Sequence, residues 1–273
     1  MRLEEYPPQE PLSEAGQRYG EECWRRGAGV AAEEHAYGPD PYQRLLVMRA
    51  PRPTGDVLLF WHGGGWTSGY KEWMAFMAPA FTAAGVTFVA AGYRLAPQHV
   101  FPAGFEDCAA AVAWVHAHCA RFGGDAGRVF VGGHSAGGHY AALLATRRDW
   151  QAAHGLPADV IRGALPISGV YQFGEGSGLS VRPRFLGAEG NERAASPLRW
   201  LDAPPRPMLI AWGSLDFPHL VAQAGRFADA ATAAGGRVRR LVLPERTHFT
   251  ASFAGGEADG PWVPEALAFL RSA

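Results

Sequence analysis

A five-residue segment, G-H-S-A-G at positions 133–137, sets a serine between two glycines. It follows the apolar run Val129-Phe130-Val131 and precedes a predicted helix over Gly138–Asp149. A G-x-S-x-G pattern between a strand and a helix is typical of a tight turn that exposes a nucleophilic serine hydroxyl. Gly133 and Gly137 suit such a turn because they carry no Cβ atom to collide with the neighbouring backbone. The segment therefore predicts that Ser135 is a nucleophile in acyl transfer.

A second chemical signal is the glycine run His62–Trp66, which directly follows the apolar run Val57–Trp61. Its consecutive backbone N–H groups can approach a substrate closely and stabilise negative charge that develops on a carbonyl oxygen. Together with the N–H of Ala136, the residue after the serine, this run predicts an oxyanion hole. A phosphate-binding loop is the alternative, but the run lacks both the G-x-G-x-x-G spacing and a following Lys-Ser or Lys-Thr pair.

A serine hydroxyl is a weak nucleophile at neutral pH and needs a general base, which an acidic residue orients. Asp216 comes soon after the apolar run Met208–Trp212, and His248 comes soon after the run Val238–Leu243. Because the carboxyl ends of parallel strands meet at one edge of a sheet, both side chains can reach Ser135 there. The order serine, acid, histidine along the chain also fits this architecture. The alternatives are His219 as the base and Asp202 or Glu245 as the acid.

Aromatic and imidazole rings next to these motifs are candidates for the wall of a substrate pocket. We expect Trp66 and Tyr70, which follow the three glycines of the run, and Phe217, which follows the acid, to contact substrate. His134 adjoins the nucleophile and is a further candidate, although its side chain is expected to point away from the reacting face. For each aromatic residue, packing in the core is the alternative interpretation.

Strands and helices must alternate along the chain to bring these residues together. Short apolar runs predict seven strands, namely Arg44–Arg49, Val57–Trp61, Val86–Gly92, Val129–Gly132, Ala164–Ser168, Met208–Trp212 and Val238–Leu243. The intervening stretches predict helices over Ser13–Arg26, Glu72–Ala84, Phe105–Arg121, Gly138–Asp149, Leu220–Ala234 and Pro264–Arg271. This alternation predicts an α/β fold with a mostly parallel sheet and helices on both faces.

The length of 273 residues is compatible with a single α/β domain over 1–273. A polar, proline-rich composition indicates a cap-like N-terminal segment over 1–40. Between 171 and 207 the chain is rich in Gly, Pro and Arg and shows no clear periodicity. A connection of this length is typical of a lid or binding loop, so we expect a short insertion there. An irregular surface segment with one or two short helices is the alternative.

Composition excludes several classes of function. A formal net charge of −1 lacks the surplus of Lys and Arg that phosphate contacts require, so no nucleic acid partner is expected. The three cysteines, Cys23, Cys108 and Cys119, show no zinc-binding spacing, so no metal is expected. No apolar stretch is long enough to cross a membrane, and the first residues lack the apolar core of a signal peptide. A cytoplasmic location is therefore expected.

The motifs together resemble those of the α/β-hydrolase superfamily of serine hydrolases. The run His62–Trp66 and the segments Tyr93–Pro97 and Phe101–Ala103 are similar to those of hormone-sensitive-lipase-like carboxylesterases. That family typically has an aspartate directly before the nucleophile, where this chain has His134. The run G-H-S-A-G-G-H at 133–139 looks more like the kynurenine formamidase (arylformamidase) group, as do Ser196-Pro197-Leu198 and the short insertion.

The resemblance implies the α/β-hydrolase fold, with an eight-stranded, mostly parallel sheet, and a reaction without metal or cofactor. Carried over residue by residue, it implies a catalytic triad of Ser135, Asp216 and His248. It also implies an oxyanion hole formed by Gly64, Gly65 and Ala136. The implied partner is a small-molecule ester or amide. A short-chain or aryl carboxylic ester is expected, with N-formylkynurenine-type formamides as the alternative. A hydrolase fold that binds a ligand without turnover is a third interpretation, and the oligomeric state, a homodimer included, stays open.

Overall fold

The computed structural model describes residues 3–181 and 183–273. Within them, eight strands form one sheet in the order β1-β2-β4-β3-β5-β6-β7-β8. The strands are β1 (Glu33–Ala36), β2 (Arg44–Met48), β3 (Gly55–Trp61), β4 (Thr87–Ala91), β5 (Gly124–His134), β6 (Ile161–Ile167), β7 (Met208–Leu215) and β8 (Val238–Thr247). β2 pairs antiparallel with β1 and β4, and the other neighbouring strands pair parallel. The predicted α/β fold with a mostly parallel sheet is confirmed.

Eight α-helices accompany the sheet in these two stretches of chain. They are α1 (Glu14–Gly27), α2 (Ala78–Ala83), α3 (Ala103–His118), α4 (Ala136–Thr146), α5 (Asn191–Ala195), α6 (Pro218–Ala233), α7 (His248–Phe253) and α8 (Val263–Ser272). α1 begins where the sequence predicts it, because the Ser13 hydroxyl accepts a hydrogen bond from the N–H of Gly16 at 3.2 Å. Such a cap satisfies one of the backbone donors that the first helical turn leaves unpaired.

Both faces of the sheet are covered, because alternate residues of its central strands enter two different cores. In β3, Leu59 and Trp61 pack in a cluster that includes residues of α3, α4 and α6. Leu58 and Phe60 pack on the opposite face with residues of α1, α2 and α8. Strands buried on both faces read as continuous apolar runs, which is why the sequence reveals these strands.

The elements that differ from the sequence-based prediction include one helix and one edge strand. The single helix expected over Glu72–Ala84 is a 3₁₀ turn at Lys71–Met77 followed by the short α2. Pro79 stands in the first turn of α2, where its missing N–H is tolerated, so the α-helix begins there instead of at Glu72. The sequence does not predict β1, because its residues E-E-H-A are polar and it lies at the edge of the sheet.

The segment 171–207 packs beside α4 at the carboxyl end of the strands. Its described part contains α5 and a 3₁₀ turn at Pro197–Arg199, and otherwise follows an irregular path. The contacts that hold it to the rest of the protein include the N–H of Phe101, which donates to the carbonyl of Phe185 at 2.9 Å, and a ring nitrogen of His139, which lies 2.7 Å from the carbonyl oxygen of Ala195. The segment is thereby fixed above the helix that follows the serine.

The three cysteines, Cys23, Cys108 and Cys119, are buried free thiols. Along the ranges 3–181 and 183–273, no helix combines the length and the apolar character that a membrane span requires. The candidate catalytic residues lie elsewhere, at the carboxyl ends of β5, β7 and β8.

Candidate active site

The turn between β5 and α4 holds Ser135 in a strained backbone conformation. Its φ and ψ angles are 54° and −115°, a region that residues other than glycine rarely adopt. A Cβ atom on Gly133 would overlap the backbone of Gly137, and one on Gly137 would overlap the carbonyl oxygen of Trp61. Glycine is thus required on both sides of the serine, which is the physical basis of the G-x-S-x-G spacing.

Two hydrogen bonds join Ser135, His248 and Asp216. His248 Nε2 lies 2.9 Å from Ser135 Oγ, and His248 Nδ1 lies 2.9 Å from Asp216 Oδ1. Asp216 follows β7, and its Oδ1 also accepts the backbone N–H of Phe217 at 2.7 Å. His248 is the first residue of α7, which begins at the side-chain cap provided by Thr247. Three residues from separate sequence motifs are therefore brought together.

Asp216 favours its ionised form although it is buried. Burial alone would raise the pKa of its carboxyl group, but the hydrogen bond and charge of His248 bring that pKa below its usual value. An ionised carboxylate can only accept, so it takes the hydrogen on Nδ1 of His248 and leaves the Nε2 lone pair facing Ser135. This tautomer is the one that can remove the proton of a hydroxyl group.

The alternative bases and acids occupy other positions. Asp202 and Glu245 are exposed at the surface. His219 lies in the cavity wall, where its ring stacks on that of Phe217 with a centroid distance of 5.9 Å. The two ring nitrogens of His248 pair with Ser135 and Asp216, so the geometry favours these partners over the alternatives.

The glycine run lies directly against the serine. A Cβ atom on Gly63 would come within 3.1 Å of Ser135 Cβ, and Gly64 and Gly65 line the same cavity as Ser135. The φ angles of Gly64 and Gly65, 118° and 62°, lie in the left-handed region that favours glycine. Within the part of the chain that the structure describes, no acceptor takes the backbone N–H of Gly64, Gly65 or Ala136. Three free donors are thus available near the serine, and that of Ala136 also lies at the positive end of α4.

A cavity of about 420 Å³ opens onto Ser135. Its wall includes α1 and the residues before it, the glycine run and the residues after it, the turn between β5 and α4, and the segment 171–207. The ends of β6, β7 and β8 and the residues that follow them complete the lining. The aromatic rings that face it include Tyr19, Trp66, Trp73, Phe185, Phe217 and Phe249. Hydroxyl groups of Ser13, Thr67 and Ser68 are also part of the wall. The cavity therefore suits a ligand with substantial apolar surface.

Trp66 and Phe217 line this cavity, as the sequence predicts. Trp66 is buried and stacks on Phe185, with ring centroids 4.2 Å apart. Phe217 is 45% exposed, and its ring centroid lies 4.8 Å from that of His248. One aromatic wall is thus rigid, whereas the other borders solvent next to the candidate base.

Tyr70, the third aromatic residue expected to contact substrate, does not line this cavity. Its ring packs on Tyr6 and Trp73, with centroid distances of 5.0 and 5.8 Å, rather than on the cavity. The preceding residue, Gly69, has a φ angle of 113°, and a Cβ atom there would overlap His62. Tyr70 therefore anchors the N-terminal segment instead of lining the cavity.

His134 faces the site, which corrects the expectation that its ring points away. The ring lies in the cavity wall, and its centroid is 5.0 Å from that of His248. Its Nε2 lies 2.8 Å from the backbone carbonyl oxygen of His248. The side chains of His134 and Ser135 point in different directions because they are neighbours at the end of a strand. His134 nevertheless contacts the backbone of His248, and Ser135 contacts its ring.

Tyr19 and Phe185 line the cavity, and sequence reasoning did not identify either of them. Tyr19 belongs to the buried stripe of α1, which comprises Gly16, Tyr19, Gly20 and Cys23. That i, i+3, i+4, i+7 spacing marks the face of α1 that packs on the protein, but it does not tell which surface receives it. Phe185 lies in an irregular segment that has no periodicity to reveal its direction.

Comparison with known proteins identifies the family to which this chain is related. A family model of the α/β-hydrolase fold matches residues 58–187 of the chain. The carboxylic ester hydrolase LipN of Mycobacterium tuberculosis is 40% identical over an alignment of 278 positions, which covers 86% of this chain and 72% of LipN. Esterase LipC of the same organism is 31% identical over 256 residues, which cover 86% of this chain and 63% of LipC. The chain thus spans less than two-thirds of the length of LipC.

A solved structure shows the same similarity at the level of the fold. Propionate-bound Est2, an esterase of the Planctomycetes species Thermogutta terrifontis, superposes with a TM-score of 0.72 at 25% identity. The superposition covers 88% of this chain and 92% of that chain. The likeness therefore extends over most of the fold.

Proposed function

Because this chain belongs to the α/β-hydrolase family, we propose that it hydrolyses carboxylic esters through a covalent acyl intermediate on Ser135. The observation that carries the proposal is the pair of 2.9 Å hydrogen bonds that His248 makes with Ser135 and Asp216. Its similarity to the ester hydrolases LipN and LipC supports the same class of reaction.

In this mechanism His248 Nε2 accepts the hydroxyl proton while Ser135 Oγ attacks the carbonyl carbon of the ester. Asp216 holds the imidazole in position and stabilises its positive charge. The protonated His248 then gives its proton to the leaving oxygen, and the C–O bond breaks to release the alcohol. Water attacks the acyl-serine with His248 again as the base, which releases the carboxylic acid and restores the serine hydroxyl.

The backbone N–H groups of Gly64, Gly65 and Ala136 act in this proposal as donors to the oxyanion of the tetrahedral intermediate. One such donor contributes roughly 3–4 kcal/mol to the transition state. Because all three donors belong to the backbone, no side chain has to reorganise as the negative charge develops. The free N–H groups of the glycine run next to the serine support this assignment.

The cavity favours a neutral ester with a short acyl group or an aryl group. Its wall is mainly apolar, and its volume of about 420 Å³ lies in the range of small-molecule sites. Arg184, a cation in the wall, forms an ion pair with Glu10 and so has no unpaired charge to offer a substrate. The similar esterase of Thermogutta terrifontis is described with propionate, a short carboxylate, which agrees with a small acyl group.

An arylformamidase is the second candidate, because the aromatic wall also suits the aryl ring of an N-formylkynurenine-type substrate. Such a substrate carries an α-ammonium and an α-carboxylate group, and burying these charges is costly unless charged partners receive them. Arg184 in the cavity wall already forms an ion pair with Glu10, so its charge is not available to receive the α-carboxylate of such a substrate. The ester is therefore the preferred substrate class.

The experiment compares kcat/KM for p-nitrophenyl acetate and butyrate with that for N-formylkynurenine, using one preparation of the enzyme. We expect strong ester hydrolysis and weak cleavage of the formamide, and the reverse preference would favour the arylformamidase. Ser135→Ala is expected to lower kcat by on the order of a millionfold if the triad acts as a unit. Ser272→Ala on α8, far from the cavity, is the matched control. Turnover by the Ser135→Ala variant at the wild-type rate would refute the proposal.

Covalent labelling separates an enzyme from a fold that only binds its ligand. A fluorophosphonate forms a stable bond to a serine that an adjacent base activates, so we expect it to label Ser135 in the native protein. Ser135→Ala should remove the label and Ser272→Ala should retain it. A native protein that resists labelling would support ligand binding without turnover.

A further inference from the structure

His134 connects the nucleophile turn to the base through the backbone. It precedes Ser135 directly, and its Nε2 lies 2.8 Å from the carbonyl oxygen of His248. Its other ring nitrogen, Nδ1, lies 3.3 Å from the hydroxyl group of Tyr19. We propose that His134 is a positioning residue that fixes the backbone of His248 relative to Ser135 in the ester hydrolysis proposed above.

The partners of His134 determine its tautomer. A carbonyl oxygen only accepts hydrogen bonds, so Nε2 must carry the hydrogen that is donated to His248. Nδ1 is then an acceptor, and the Tyr19 hydroxyl must donate to it. The Ser252 hydroxyl lies 3.0 Å from the oxygen of Tyr19 and 3.1 Å from the carbonyl oxygen of Phe249, so both are acceptors for its one hydrogen. The result is a directed series in which Tyr19 donates to His134 and His134 donates to the backbone of His248, with the Ser252 hydroxyl next to the Tyr19 oxygen.

This series joins three parts of the chain that are remote in sequence. Tyr19 belongs to α1, Ser252 to α7, and His134 to the end of β5. All three side chains are buried, so water does not compete for the donors and acceptors. Burial is also the main cause that lowers the pKa of His134 to about 3, which keeps the ring neutral at ordinary pH. A neutral ring is required here, because a protonated ring could not accept from Tyr19.

A further contact is needed because the helix that carries His248, α7, is short. α7 has only six residues and His248 is the first of them, so few helical hydrogen bonds hold the base in place. The bond from His134 adds a second attachment, and it comes from the residue next to the nucleophile. Small misplacements of catalytic groups are expensive in rate, so this attachment should matter for proton transfer rather than for substrate binding.

The test uses amide side chains that reproduce one ring nitrogen each. In His134→Gln the amide nitrogen can occupy the region of Nε2 and donate to the His248 carbonyl. In His134→Asn the shorter amide reaches only the region of Nδ1. Tyr19→Phe removes the hydroxyl that donates to Nδ1 but keeps the ring. Thr87→Val is the matched control, because it removes a buried hydrogen bond of 2.9 Å on β4, away from the cavity.

Each variant is assayed for kcat and KM with p-nitrophenyl butyrate, for its pH–rate profile, and for thermal stability. His134→Asn is expected to lower kcat by on the order of 100-fold with a much smaller change in KM, and to alter the pH–rate profile governed by the base. His134→Gln should recover most of that loss. Tyr19→Phe should lower kcat by a smaller factor, and its effect should largely vanish in the His134→Asn background. Thr87→Val should lose stability without a change in kcat or in the pH–rate profile.

The outcomes distinguish this inference from the proposed function. If the native protein hydrolyses the ester and Ser135→Ala does not, the proposed function stands and the His134 variants test the inference alone. A His134→Asn variant that raises KM but keeps kcat would indicate that His134 acts in substrate binding, and it would overturn the positioning role. Equal loss of kcat in the Gln and Asn variants would overturn it as well, since the donor to His248 would then be irrelevant. Ester hydrolysis that survives in Ser135→Ala would overturn both proposals.

Discussion

Three buried histidines around the candidate site should make the fold sensitive to acid. Burial is the largest cause that lowers the pKa values of His62, His134 and His139, from 6.5 to about 4, 3 and 4. Unfolding returns each ring to water and to a pKa near 6.5, so the unfolded chain binds more protons than the native protein. Stability is therefore complete above a pH of about 6.5 and falls as the pH drops towards about 4.

The expected loss follows from these values. Between pH 7.5 and 5.5 each of the three histidines destabilises the native state by roughly 1.3 kcal/mol, or roughly 4 kcal/mol together. Native domains are stable by only about 5–15 kcal/mol, so the change is a large fraction of the total. With an m-value of about 3 kcal/mol per molar urea, the unfolding midpoint should fall by roughly 1.3 M. The lowered pKa of Asp216 acts below this window, because its contribution is lost only as the pH falls below about 3.9.

Urea unfolding at pH 7.5, 6.5 and 5.5, followed by tryptophan fluorescence and far-ultraviolet circular dichroism, measures this loss. His139→Gln replaces one titrating ring by a neutral amide and should remove about one-third of the pH dependence, whatever it does to stability at pH 7.5. His154→Gln alters an exposed histidine and is the control, with the native pH dependence expected. Equal midpoints for the native protein at pH 7.5 and 5.5 would refute the reasoning, as would an unchanged pH dependence in His139→Gln.

Two further predictions concern the reaction. Asp216→Asn should lower kcat by on the order of 10⁴-fold with little change in KM, because the amide favours the wrong tautomer of His248, and steady-state hydrolysis of an aryl ester measures it. Gly64→Ala should lower kcat by about 10²–10³-fold, because its Cβ atom would overlap the carbonyl oxygen of Ser68 and displace the oxyanion donors. A Cβ atom on Gly65 meets nothing within 4 Å, so Gly65→Ala is strained only by its positive φ angle and should retain more activity than Gly64→Ala in the same assay. Equal effects of the two alanines would contradict this distinction.

The candidate triad could be predicted from the sequence because its members lie at or just beyond the ends of strands in one sheet. Ser135 follows β5, Asp216 follows β7 and His248 follows β8, and these strands are parallel. Short apolar runs identify such strands, and the parallel arrangement brings their carboxyl ends to one edge. Chain order alone therefore places the three side chains near each other, before any detail of packing is known.

The glycine run shows where this kind of inference ends. In the sequence, Gly64 and Gly65 are equivalent members of one run, and both would be expected to be sensitive to a bulkier residue. In the structure the chain folds back so that Ser68 lies against Gly64, while the position of a Cβ atom on Gly65 is open. The difference arises from a tertiary contact within the turn, and no residue type or spacing in the run encodes it.

The cavity wall could not be predicted, because its parts meet by packing of surface segments rather than by strand order. Tyr19 reaches His134 across 115 positions of sequence, and Phe185 reaches Trp66 from a segment without periodicity. A buried stripe on α1 shows that the helix packs somewhere, but the surface that receives it depends on the fold as a whole. The groups proposed for catalysis are thus fixed by the most predictable part of the structure, whereas the walls that would select substrate come from the least predictable part. Chains with the same G-x-S-x-G turn and glycine run can therefore share one reaction and differ in substrate, which is why the ester and the formamide have to be compared by experiment.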